Sequence, residues 1–66
     1  MKFNVGDRVE WVRAIPSPEL KDIAGIVMAV IPNDQDLDDF YMYDIQFDFG
    51  LYTLYGTQLG PAKPTL

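Results

Sequence analysis

The sequence contains no cysteine and no histidine. Those two absences exclude disulfides, the common Cys/His zinc sites, thiol nucleophiles, Ser-His-Asp triads and a histidine general base. The single serine, Ser17, therefore has no partner base, and no Gly-rich phosphate loop is present. Positive charge is also scarce. Five Lys and Arg stand against ten Asp and Glu, and the net charge of −5 opposes binding to nucleic acid or anionic lipid. No apolar run approaches the roughly 18 residues of a membrane span, and no signal-peptide core is visible. The expectation is a soluble, cytoplasmic chain without membrane contact. At 66 residues there is room for one domain. A chain of that size buries only about 60% of its unfolded surface, so it gains from tight packing or self-association.

What is present is unevenly placed. Up to Asn33 the charges cancel, with Lys2, Arg8, Arg13 and Lys21 against Asp7, Glu10, Glu19 and Asp22. From Asp34 onward there are six aspartates and one cation, Lys63. Seven of the nine aromatic residues fall between Phe40 and Tyr55. The second half is thus acidic and aromatic, the first neutral.

Glycine and proline punctuate the chain regularly, and the segments between them are rich in β-branched and aromatic residues. That pattern predicts an all-β barrel or sandwich. A first strand is expected over Arg8–Arg13, with Val9 and Trp11 on one face. Ser17-Pro18-Glu19-Leu20 has an N-cap serine and a proline at the first helical position, enough for one helical or 3₁₀ turn. Gly25–Ile31 is nearly all apolar and reads as a second strand that is buried on both faces or bulged. Phe40–Phe49 alternates strictly, with Tyr41, Tyr43, Ile45, Phe47 and Phe49 on one face and Asp44, Gln46 and Asp48 on the other. Gly50 then closes a hairpin into Leu51–Tyr55. Gly56–Leu59 suits a 3₁₀ turn that drops Leu59 into the core, before a short last strand and tail. The expected boundaries are one barrel over residues 1–60 and a tail over 61–66.

A loop of Phe49-Gly50, or of Asp48 to Leu51, pairs Phe47 with Tyr52 and Ile45 with Leu54, all facing inward. In that register Asp44 meets Tyr55, Gln46 meets Thr53 and Asp48 meets Leu51 on the outer face. Phe40, Met42, Leu51 and Tyr55 then project outward, interleaved with Asp44 and Thr53. Apolar side chains on an outer strand face suggest an interface.

The order of these elements resembles the small SH3-like β-barrels, the group that includes KOW and Tudor domains. Val5-Gly6-Asp7-Arg8-Val9, Gly25-Ile26-Val27, Tyr43 to Gly50 and Leu59 carry the resemblance, over about Phe3 to Pro61. It implies a five-stranded all-β SH3-like barrel, a fold that hosts many unrelated activities. Gly6-Asp7-Arg8-Val9, Gly25-Ile26-Val27 and Thr53-Leu54-Tyr55 are also similar to the type II dihydrofolate reductases, SH3-like tetramers. That resemblance implies an NADPH-dependent enzyme with Thr53 and Tyr55 at its pore. Thr53 stands where the family carries glutamine, however, and Asp44 and Asp48 occupy a hairpin that is cationic in that family. Phosphates beside those carboxylates would cost Coulomb energy.

Other constellations have plainer readings. In Asp34–Asp39 the sixth and twelfth positions of a calcium loop hold Asp39 and Ile45 rather than Gly and Glu, so the run reads as a solvated loop. Tyr41, Tyr43, Tyr55 and Asp44 have the chemistry of an aromatic cage for methylated Lys or Arg, but Tyr43, Phe47 and Tyr52 are expected in the core. Asp44 and Asp48 lie roughly 13 Å apart along a strand, too far for a glycosidase pair. The expectation is a non-enzymatic binding and assembly module with no catalytic residues, metal or cofactor. It self-associates through the outer face of the Phe40–Tyr55 hairpin (Phe40, Met42, Asp44, Leu51, Thr53, Tyr55) and favours a basic peptide, protein or cation over nucleic acid. The type II reductase and a Tudor- or KOW-like nucleic-acid or ribonucleoprotein binder are the alternatives.

Overall fold

The computed structural model describes residues 3–37 and 40–63. Strand β1 runs Arg8–Trp11, β2 Ala24–Ile31, β3 Met42–Phe47, β4 Gly50–Tyr55 and β5 Leu59–Pro61. All pair antiparallel in one sheet of order β4-β3-β2-β1-β5, so the chain is all-β, barrel-like and small. Single 3₁₀ turns occupy Pro18–Leu20 and Gly56–Gln58. At the first of these the Ser17 hydroxyl accepts from the Glu19 N–H at 3.4 Å, as the cap and Pro18 require. Among the described residues no helix is long and apolar enough to cross a membrane.

The inward face of every strand feeds one core: Phe3, Val9, Trp11, Val27, Tyr41, Tyr43, Ile45, Phe47, Leu54 and Leu59. Alternation along β3 produces this directly, since Tyr43, Ile45 and Phe47 are buried between the more exposed Met42, Asp44 and Gln46. Each large side chain so buried contributes roughly 1.5–3 kcal/mol. Two glycines are required by geometry. Gly6 holds φ +94 in the turn before β1, from which its N–H reaches the Val27 carbonyl at 2.8 Å. Gly25 lies against β3, where a Cβ would sit 2.6 Å from Ile45 Cγ2 and 2.8 Å from the Phe47 ring.

Several elements depart from the sequence reading. Strand β1 stops at Trp11, because the next two N–H groups, on Val12 and Arg13, turn to the Gln58 carbonyl. Strand β2 is bulged: its register with β3 shifts between Val27 and Ala29, and the intervening Met28 is thrown outward. The long alternating segment is strand only over Met42–Phe47. Its hairpin pairs Phe47 with Gly50, Ile45 with Tyr52 and Tyr43 with Leu54. The loop is thus Asp48-Phe49, and Gly50, at φ +143, opens β4 instead of lying in the turn. The faces are those expected, but each partner is displaced by two residues. In consequence Asp44 meets Thr53 rather than Tyr55, Gln46 meets Leu51, and Met42 meets Tyr55.

Candidate functional site

Strands β2, β3 and β4, with Arg8 of β1, supply an outer face on the side opposite the core. Cross-strand pairing builds it in rows: Arg8, Ile26, Gln46 and Leu51 in one, Ala29, Asp44 and Thr53 in the next, Ile31, Met42 and Tyr55 in the third. Met28 joins it through the β2 bulge. Leu51 is 58% exposed, Met28 54% and Tyr55 44%. Single exposed apolar residues are ordinary on any protein. What marks this face is the Ile31, Met42 and Tyr55 row, apolar across three strands, with Met28, Ile26 and Leu51 on the same side.

Its polar centre is an ordered pair. Thr53 Oγ1 donates to Asp44 Oδ1 at 2.5 Å. The backbone explains the contact. Gly56 donates to the Tyr41 carbonyl at 3.0 Å, which makes Tyr41 and Gly56 a hydrogen-bonded pair. By alternation Tyr43–Leu54 and Ile45–Tyr52 are hydrogen-bonded as well, and Asp44–Thr53 is a closely spaced non-hydrogen-bonded pair. Asp44 is half-buried, between Ala29 and Thr53 in its row.

Of the six residues predicted for the site, five (Met42, Asp44, Leu51, Thr53 and Tyr55) share this face. Phe40 is exposed but precedes β3, outside the sheet. The sequence reading missed Ile26, Met28 and Ile31. The signal was available: an eight-residue apolar strand over a single-layered core must turn half its side chains outward.

The aromatic cage does not assemble. Tyr41 and Tyr43 point into the core, and Tyr43 is fully buried, whereas Asp44 and Tyr55 lie on the opposite face. The remaining aromatics form a second cluster at one end of the core, with Phe47 stacked on Phe49 at 4.8 Å and Tyr52 5.5 Å from both Trp11 and Phe49. Tyr52, expected in the core, is 36% exposed there, on the edge strand β4. The Trp11 indole N–H is buried without a hydrogen-bond partner among the described residues.

In the acidic loop, Asn33 Oδ1 accepts from the Gln35 and Leu37 N–H groups at 2.9 and 3.1 Å, and the Tyr41 hydroxyl donates to Asp36. Asp38 and Asp39 lie outside the described residues. Among the described residues no three potential metal ligands converge. Elsewhere, Lys63 Nζ donates to Asp22 Oδ1 at 2.8 Å. That hydrogen bond holds Asp22 below the usual carboxylate value and Lys63 above the usual amine value, on an exposed pair. Compared with protein-family models, curated proteins and solved structures, the chain matches none.

Proposed function

We propose that the chain is an SH3-like barrel serving as a non-enzymatic binding and assembly module, with the β3–β4 hairpin as its association surface. The observation that carries this reading is the outer face on which Ile26, Met28, Ile31, Met42, Leu51 and Tyr55 surround the Asp44–Thr53 pair. A small domain leaves part of its apolar inventory outside the core, and covering that surface with a second copy adds the stability a chain of 66 residues lacks. Tyr55→Asp places a carboxylate on the association surface. Static light scattering is expected to show wild type heavier than one chain at high micromolar concentration and the variant reverting to one chain. Wild type that stays monomeric sinks the reading.

The acidic half adds a preference among further partners. With Asp44 at the centre of the face and Asp34, Asp36 and Asp48 exposed around the same half, Lys- or Arg-bearing apolar surfaces are favoured. Titration with an amphipathic Lys/Arg-rich peptide should shift the Asp44 and Thr53 resonances at low salt and much less at high salt.

A further inference from the structure

Among the described residues strand β4 is an edge of the sheet, bonded only to β3. Because Gly50, Tyr52, Leu54 and Gly56 direct their backbone groups to β3, the N–H and C=O groups of Leu51, Thr53 and Tyr55 point away from it. The Tyr55 N–H is already taken, donating to Gln58 Oε1 at 3.0 Å. Among the described residues nothing bonds the outward groups of Leu51 and Thr53. Exposed edges of this kind are ordinarily blunted by charge, proline or shortness. Strand β5, the other edge, is three residues long and ends in Pro61. Strand β4 is six residues long, and no charged residue occurs between Asp48 and Lys63.

We propose that β4 pairs antiparallel with β4 of a second copy about a two-fold axis at Tyr52, placing Leu51 opposite the other copy's Thr53. This inference rests on the reading that the chain self-associates through its β3–β4 hairpin, and it places the contact along the β4 edge rather than over the outer face. The open groups select the register. Leu51 and Thr53 of each copy supply two donors and two acceptors at the spacing of a hydrogen-bonded pair, so the two symmetry-related pairs satisfy all of them. A register centred on Thr53 instead sets Leu51 against Tyr55, whose N–H Gln58 already holds. With the axis at Tyr52 the two Tyr52 side chains meet as a cross-strand aromatic pair on the end cluster of Trp11, Phe47 and Phe49.

Charge does not oppose a second copy at this edge despite the net −5. Across the order β3-β4-β4-β3 the two Asp44 carboxylates lie three strand spacings apart, about 14 Å, beyond the Debye length of about 8 Å at physiological salt. Each is also hydrogen-bonded by its own Thr53. The two-fold seam itself brings no charged side chain of β4 against another.

Amide hydrogen exchange on the wild-type chain at micromolar and millimolar concentration, read beside the mass at each concentration, tests the pairing. The expected result is a doubled mass with exchange at Leu51 and Thr53 slowed by about tenfold or more, while the exposed turn amides are unchanged. A doubled mass with Leu51 and Thr53 still fast would overturn the edge pairing and leave self-association through the face standing. A single-chain mass throughout overturns both. In a chain without cysteine, Tyr52→Cys provides a second measurement. The axis brings the two Cα atoms to about 4.5 Å, within disulfide reach. Mild oxidation should therefore cross-link Tyr52→Cys and leave Ile26→Cys monomeric; equal cross-linking of both contradicts the register.

Discussion

Gly25→Ala sets two physical effects of opposite sign against each other. Gly25 lies in strand β2 at a φ outside the left-handed region, where replacing glycine by alanine ordinarily stabilises by about 0.4–1 kcal/mol through the unfolded chain. The packing says the reverse. The new Cβ would lie 2.6 Å from Ile45 Cγ2 and 2.8 and 2.9 Å from two Phe47 ring carbons, about 1 Å inside the usual carbon–carbon contact of roughly 3.5–4.0 Å. Neither neighbour can yield cheaply. Ile45 is β-branched and fully buried, and the Phe47 ring is stacked between Trp11 and Phe49. Overpacking of this kind costs about 1–3 kcal/mol, and two confined neighbours place the expectation toward the upper end. In a domain of this size each kcal/mol lowers Tm by about 4–8 °C. Urea unfolding followed by the fluorescence of Trp11, the sole tryptophan, reads the change directly. In a double-mutant cycle with Phe47→Leu, which trims the obstructing ring, the paired variant should be less destabilised than the sum of its parts. A Gly25→Ala chain as stable as wild type, or more so, would refute the packing account of β2 against β3.

Other expectations follow from local contacts. Asn33→Ala removes the acceptor for the Gln35 and Leu37 amides, so exchange at those two should accelerate while global stability falls by less than about 1.5 kcal/mol, the loop being exposed. The Asp22–Lys63 pair has a defined pH window. Asp22 is lowered from 3.8, so its contribution is present above that value and lost as pH falls through the folded-state value. Lys63 is raised from 10.5, so its contribution is complete below 10.5 and lost as pH rises through the folded-state value. In Lys63→Met the Asp22 carboxyl titration, followed by NMR, should move up toward 3.8; an unmoved midpoint contradicts the pairing.

Much of the architecture was legible because β3 carries its own period. Tyr43, Ile45 and Phe47 alternate with polar partners, and no other backbone state gives that pattern. Leu59 and the Gly56–Gln58 turn were readable for a similar local reason: a glycine, then a polar pair, then one large apolar residue. The hairpin register was less accessible, since a turn followed by Gly50 and a turn containing Gly50 preserve the same faces while displacing every partner by two residues. The bulge at Met28 was visible as an alternative and not as a position. Glu10 escaped altogether. It is buried because the Lys63 N–H donates to its Oε2 at 2.7 Å, a contact 53 residues distant that no local pattern announces. The candidate face divided in the same way. Its hairpin residues followed from alternation, whereas the β2 contribution depended on which strand lay beside β3. The aromatic cage failed because Tyr43 and Asp44, adjacent in sequence, take opposite sides of one strand.

The central claim is that this domain is completed by association along its hairpin. Sedimentation equilibrium of the wild-type chain across a concentration series tests it most directly. The account predicts a mass rising from the 7.5 kDa of one chain to twice that value, with the rise abolished in Tyr55→Asp. A mass that holds at 7.5 kDa to the highest concentration, in wild type and variant alike, would contradict it.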